Sequence, residues 1–290
     1  MHFKSYILRF IWFIACFMLI MLMQCKDKTV YTDDTYFGSK VIVLGHRGMG
    51  ELYRMPGNTY EAIYPIRGIG ADGAEVDIQM THDSVLVLFH DHVMGDRTTC
   101  GGRVYEQDWA DIQQCKYYAL ENNIYVNSVD DLFSKLPDLN NWYFSFDCGN
   151  VDNDVADTNA YRLEYLRAIK RLCEKYNMSD RVFLEGGKDV LLKAQQLGMT
   201  NKLFYYEGLT SSTIDYAASS HFFGFTTSFP WLFDNVELAH QRGLYVMLWS
   251  PNNDAQNKEA LKQKVDIIQT DDPIDLLRLL NRYNYDYVIP

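Results

Sequence analysis

Positive charge is what this chain has least of. Among 290 residues, 27 are lysine or arginine against 38 aspartate or glutamate, a formal net charge of −11. Nucleic acid needs a basic face to meet its phosphates, so this balance argues against DNA or RNA as a partner. It does not argue against a phosphate ester, because a bound cation inverts the local field. Long apolar runs are missing too. The uncharged stretch Ile11 to Met23 has 13 residues, short of the roughly 20 that a membrane span needs. None of the six cysteines stands in a CxxC pair or another metal spacing, which removes a zinc-thiolate site from consideration. Repeats and low-complexity tracts are absent as well, so solenoid and fibrous architectures are set aside.

What remains is the composition of one large globular domain, 48% hydrophobic and 22% charged, with room for a single α/β barrel of about 250 residues. The N-terminus reads as a targeting segment. Lys4 and Arg9 precede the short apolar run, and Leu22-Met23-Gln24-Cys25 stands where a bacterial lipobox would. Gln24 departs from the small residue preferred before such a cysteine, and an uncleaved signal anchor is the alternative. Residues 1–24 are therefore expected to be a signal peptide, 25–40 a polar tether, and 41–290 the domain. That arrangement implies an exported protein held at the membrane of a bacterial cell envelope through a lipid on Cys25. Of the remaining cysteines, Cys100 and Cys115 are the closest pair in sequence. Export permits a disulfide, but buried thiols are the expectation for all four.

Chemistry concentrates between Val41 and Asp91. The apolar run Val41-Ile-Val-Leu-Gly ends abruptly in His46-Arg47-Gly48, as a buried strand does when it delivers polar groups to its mouth. Glu75 and Asp77 are two residues apart, so on a strand both carboxylates project from one face. Adjacent like charges repel unless a cation sits between them, and a divalent metal is the usual one. Thr81-His82-Asp83-Ser84 is a short polar break, too short for a parallel crossover. A hairpin centred between His82 and Asp83 would set His90 opposite Glu75.

At these residues the chain resembles the glycerophosphodiester phosphodiesterase family. The matching segments are His46-Arg47-Gly48, Pro56-Gly57-Asn58-Thr59, Gly70-Ala71-Asp72 through Glu75-x-Asp77, and Thr81-His82-Asp83 through His90-Asp91. Near the C-terminus Leu248-Trp249-Ser250-Pro251-Asn252 and Ile268-Gln269-Thr270-Asp271-Asp272-Pro273 also match. The resemblance implies His46 and His90 as an acid–base pair, Glu75, Asp77 and Asp147 as ligands of one Ca²⁺ or Mg²⁺, and Arg47 as a phosphate contact. Trp249 falls at the mouth, as a substrate contact or as barrel packing. The implied reaction is hydrolysis of glycerophosphodiesters to glycerol 3-phosphate and an alcohol, with a neighbouring substrate hydroxyl as the attacking group.

Beyond Asp91, residues 92–127 read as a loop over the mouth. Strand and helix signals then alternate from Ser128 to the end, making eight strand–helix units once the hairpin is counted as an excursion. The expected fold is a TIM (β/α)8 barrel with a short β-hairpin after strand two; a doubly wound open sheet is the alternative. Two positions depart from the family pattern. Gly57 replaces a glutamate, and Gly149 replaces a lysine two residues beyond Asp147, a loss for which Lys188 could compensate. Glu185 fits a metal ligand or a salt-bridge partner equally well. Two other functions stay open: a phospholipase or lysophospholipase D type of enzyme on lipids, and a catalytically weak binding lipoprotein.

Overall fold

The computed structural model describes residues 31–50, 52–118, 123–149, 157–229 and 235–290. The chain divides into two units, Met1–Thr32 and Asp33–Pro290. The signal segment and Cys25 lie outside the described residues. Among the described residues no helix is long and apolar enough to cross a membrane.

The second unit is a closed parallel barrel. Its strands are β1 (Ile42–Gly45), β2 (Gly73–Met80), β4 (Tyr143–Asp147), β5 (Val182–Gly186), β6 (Lys202–Tyr206), β7 (Gly224–Ser228), β8 (Tyr245–Trp249) and β9 (Ile267–Thr270), with β3 (Leu86–Leu88) hairpinned onto β2. Each barrel strand pairs in parallel with the next, and β1 closes the ring by pairing with both β2 and β9. Helices α1 (Tyr60–Ile63) and α2 (Pro65–Gly68) follow β1, and α3 (Trp109–Ile112) and α4 (Val129–Lys135) follow the hairpin. Then α5 (Thr158–Tyr176), α6 (Lys188–Gln196), α7 (Ser211–Ser219), α8 (Val236–Gln241), α9 (Asp254–Lys262) and α10 (Pro273–Leu279) each follow one strand.

Strand parity organises the interior into layers. Alternate residues of a strand face the same side, and the lowest inward layer is a buried cluster that includes Leu44, Phe183, Phe204 and Ile267. Moving two residues along the same strands gives His46, Glu185, Tyr206 and Gln269, all of which line the cavity at the C-terminal mouth. An apolar floor thus carries a polar ceiling, and the two are linked by nothing more than the period of a strand.

The floor is covered by a segment expected to be part of a tether. Asp34 and Lys40 form a β-bridge, and Val41 N donates to Asp33 O at 2.6 Å. The turn they close stacks Tyr36 on buried His240, with 4.6 Å between ring centroids, and Phe37 on Tyr245 at 4.2 Å. The barrel unit therefore begins at Asp33 rather than after residue 40.

Thr59 caps α1, its Oγ1 accepting from Ala62 N, while Asn58 turns to Asp77. Two local expectations are corrected. The β2–β3 hairpin pairs Ile78 with Leu88 and Met80 with Leu86, one residue out of the expected register. A wider turn, with Ser84 at φ 66°, is responsible, and His90 lies beyond the paired residues instead of facing Glu75. Cys100 and Cys115 form a disulfide, with 5.3 Å between Cα atoms, whereas Cys148 and Cys173 are buried thiols. The disulfide is possible because residues 92–118 and 123–127 are not a bare loop. They enclose their own apolar cluster around Phe89, Met94, Val104, Ile112 and Ile124.

Candidate active site

The mouth holds a cavity of about 270 Å³ lined by His46, Arg47, Glu75, Asp77, His90, Asp147, Glu185 and Trp249, among others. Every site residue expected from the sequence is among them except Lys188. That lysine opens α6 and lies over the Tyr216 ring, 5.2 Å from its centroid, so it does not replace the cation lost at Gly149. Trp249 reaches the cavity and meets Tyr206 edge-on at 6.3 Å.

Both imidazoles are held from behind by a carboxylate. His46 Nδ1 lies 2.7 Å from Asp271 Oδ1, and Asp271 exchanges two hydrogen bonds with Asn252. Asn252 Nδ2 donates to Asp271 Oδ2 at 2.6 Å, and Asp271 N donates to Asn252 Oδ1 at 3.1 Å. His90 Nδ1 lies 2.6 Å from Asp91 Oδ1, and Arg97 Nε donates to Asp91 Oδ2 at 2.8 Å. Burial works to raise the Asp91 carboxyl, but the hydrogen bonds from His90 and Arg97 outweigh it and hold the group below its ordinary range. A carboxylate on Nδ1 fixes the tautomer and leaves Nε2 for chemistry. The backbone around His90 is clamped as well, since Gln79 Nε2 donates to Phe89 O at 2.9 Å and to Asp91 O at 3.0 Å.

The His-Arg-Gly turn is bent to fit the carboxylates. Arg47 sits at φ 54°, a left-handed conformation that costs a non-glycine residue on the order of 1 kcal/mol. The turn is held by Arg47 N donating to Glu75 Oε2 at 3.0 Å and Asn58 N donating to Arg47 O at 3.0 Å. The Arg47 guanidinium reaches Asp77, Nε to Oδ2 at 2.9 Å. Asn58 Nδ2 donates to the same oxygen at 2.7 Å and Asp77 N donates back to Asn58 Oδ1. Gly57 is part of this arrangement. A Cβ there would stand 2.8 Å from Arg47 Cβ, so any side chain at 57 must move the arginine.

Four carboxylates share this small volume, and the electrostatics register it. Burial, and then the charges of Asp77, Glu185 and Asp147, push Glu75 well above the usual carboxylate range, with Arg47 opposing. Burial with Asp77 and Glu185 lifts Asp147 to about 7. Glu185 is buried and, among the described residues, has no salt bridge. Ser145, Thr226 and Gln269 all donate to its carboxylate, which partly offsets the rise caused by burial. The surplus of oxygen donors over positive charge suits a hard divalent cation. Among the described residues no three such groups are already gathered tightly enough to hold one; Glu75, Asp77 and Asp147 line the one cavity and are the carboxylates that would hold it.

Comparison with known proteins decides the family. The sequence profile of the glycerophosphoryl diester phosphodiesterase family matches residues 46–275. The chain belongs to that family. As a member it is a phosphoric diester hydrolase, and its matched span runs from the first histidine of the site to the helix after β9. It is similar to a glycerophosphodiester phosphodiesterase of Caldanaerobacter subterraneus subsp. tengcongensis, 28% identical over 261 residues, covering 84% of this chain and 99% of that one. The barrel also resembles solved glycerophosphodiesterase structures. One from Silicibacter pomeroyi has TM-score 0.71 and 23% identity, covering 83% of this chain and 93% of that one. An Oleispira antarctica phosphodiesterase in complex with sn-glycerol-3-phosphate has TM-score 0.72 and 16% identity, covering 83% and 96%.

Sequence reasoning missed Gln79, Asn252 and Asp271 as supports of the histidines. Gln79 continues the parity of Glu75 and Asp77 along β2, a signal that was available. Asn252 and Asp271 lay in matched motifs, but no local pattern announces which side chain they hold.

Proposed function

We propose that this chain hydrolyses glycerophosphodiesters to glycerol 3-phosphate and an alcohol, with His46 and His90 exchanging protons at the reacting oxygens. The observation that carries this reading is the pair of imidazoles on one cavity, each with Nδ1 fixed by its own carboxylate. Cleavage of a phosphodiester removes a proton from the attacking oxygen and returns one to the leaving alkoxide, and two Nε2 atoms divide that work. Arg47, on the same cavity wall, supplies positive charge to a non-bridging phosphoryl oxygen. Glu75, Asp77 and Asp147 would hold one Ca²⁺ or Mg²⁺, whose charge would neutralise the phosphoryl oxygens. Glu185, saturated by three donors, contributes a fixed negative potential beneath them.

We place the domain outside the cytoplasm, held at a membrane by its N-terminal segment. The apolar run with its following cysteine supports this, as does the Cys100–Cys115 disulfide, since such bonds persist in oxidising compartments.

The test is turnover of a glycerophosphodiester panel with Ca²⁺, with Mg²⁺ and with chelator. Metal-dependent release of glycerol phosphate, lost in His46→Ala and His90→Ala, is the expected result. Turnover unchanged in either variant would sink the assignment.

A further inference from the structure

A second cavity, of about 580 Å³, adjoins the first and shares Arg47 and His90 with it. It is roughly twice as large, and nothing in the proton-transfer machinery accounts for it. One wall is the loop after β1, which brings Tyr53 and Arg54. Tyr53 OH donates to Pro290 O at 3.1 Å, and Arg54 donates to the same oxygen.

The opposite wall is the excursion after β3, and its construction is specific. Thr98 bridges Tyr117, Thr99 N donates to Lys116 O at 2.8 Å, and Tyr118 N donates to Arg97 O at 3.0 Å. A third segment joins on the other side, with Tyr117 N donating to Ile124 O at 2.8 Å and Val126 N to Cys115 O at 3.0 Å. The disulfide ties these bridged segments two residues after Thr98 and two before Tyr117. Arg97, Tyr117 and Tyr118 are thereby presented together on the cavity.

Tyr117 spans two environments. Its ring is buried with Phe89 in the cluster of the excursion, 6.1 Å between centroids. It also lines the second cavity, and burial, followed by the charges of Asp77 and Asp91, keeps its hydroxyl protonated. A buried phenol there is a neutral donor and acceptor one step from the reacting centre.

We propose that this second cavity is the subsite for the alcohol half of the diester, and that it selects a hydroxyl-rich alcohol, a polyol or sugar alcohol, over a quaternary ammonium alcohol. The inference rests on the diesterase reading above and adds the substrate class to it. His90 and Arg47 border both cavities, so a phosphoryl group between them has one substituent in each. The cavity of about 270 Å³ suffices for the three-carbon glycerol half, and the one of about 580 Å³ has room for the variable alcohol. The choice of alcohol follows from the lining. A quaternary ammonium group is recognised by an aromatic cage and negative charge. Here Arg47, Arg54 and Arg97 outnumber the two carboxylates on the lining, Asp91 and Asp96, Asp91 is already bonded by His90 and Arg97, and Tyr53, Tyr117 and Tyr118 bring hydroxyls. Paired guanidinium and phenol groups match the many lone pairs and O–H groups of a polyol.

The experiment compares kcat/KM of the wild-type domain on glycerophosphoinositol, glycerophosphoglycerol, glycerophosphocholine and bis(p-nitrophenyl) phosphate, together with Tyr117→Phe and Arg54→Gln. The polyol diesters should be preferred to the choline diester by about tenfold or more, a factor expected of one or two buried hydrogen bonds. Each variant should raise KM for the polyol diesters by about 5- to 30-fold, leaving the choline diester and the nitrophenyl ester within about twofold. Circular dichroism and melting of Tyr117→Phe, and the independent Arg54→Gln variant, separate recognition from misfolding. Equal turnover of polyol and choline diesters, a preference for choline, or variants that slow all four substrates alike would overturn the proposal. In each of those cases the diesterase reading stands, since hydrolysis persists. Absence of hydrolysis of every ester would instead overturn that reading itself.

Discussion

Replacing Asp271 by asparagine tests the support of His46 with almost no change of volume. Asp271 is 7% exposed, so water cannot substitute for its oxygens. Its partner Asn252 cannot rotate freely, because Asn252 Oδ1 accepts from Asp271 N and Nδ2 must therefore point at position 271. An asparagine at 271 then faces a choice between two faults. If its oxygen faces Asn252, its amide faces His46 Nδ1 and forces the proton to Nε2. If its oxygen faces His46, two amide groups meet across 2.6 Å. Either way the charge-assisted bond to Nδ1 is lost, a difference of about 1.5–3 kcal/mol, or roughly 10- to 150-fold in kcat/KM. The steady-state assay should show the loss in kcat rather than KM, since His46 acts on protons. Where the new amide faces His46, the nitrogen NMR shifts of the ring should move from the Nε2-unprotonated to the Nε2-protonated pattern. An Asp271→Asn enzyme within threefold of wild type, with unmoved ring shifts, would refute the positioning role.

Three further outcomes are expected. Asp147 is lifted to about 7 in the fold, so in chelator the folded state binds more protons than the unfolded chain between about pH 4 and 7. Stability in chelator should accordingly fall as pH rises through that window, by up to about 1.4 kcal/mol per pH unit for this group, and Glu75, which is also raised, should act in the same direction; Asp147→Asn should flatten the fall in melting temperature and millimolar Ca²⁺ or Mg²⁺ should reverse it. The Cys100–Cys115 bond closes a 15-residue interval, so the double serine variant should lose about 3 kcal/mol in urea unfolding, and reductant should have no further effect on it. Phe204 is fully buried in the barrel floor, and Phe204→Ala should cost about 3–5 kcal/mol by the same measurement.

The barrel was legible because its signals are local. An apolar strand ending in His46, carboxylates two apart at Glu75 and Asp77, and a helix opened by Asp272-Pro273 each speak for themselves within a few residues. What resisted reading depended on partners far apart in the chain. Asp271 meets His46 across 225 positions, and Gln269 meets Glu185 across 84. The turn after Met80 shows the same limit at short range. Whether it holds four residues or five shifts the pairing by one, and Ser84 adopting a left-handed conformation is not written in a Thr-His-Asp-Ser sequence. The pairing of Cys100 with Cys115 is illegible locally, because it depends on an apolar cluster gathered from residues as far apart as Phe89 and Val126.

Tyr36 and Phe37 bear on what the two ends of the barrel are for. Phe37 docks on Tyr245, the first residue of β8, and Tyr36 stacks on His240 at the end of α8, so the turn between Asp34 and Lys40 caps the floor while the histidines stand at the opposite end of the strands. Five residues of strand separate those ends by about 15 Å. One end of the barrel is thus given to holding the fold and the other to chemistry, and a substitution at Phe37 would loosen the first without touching a group of the second.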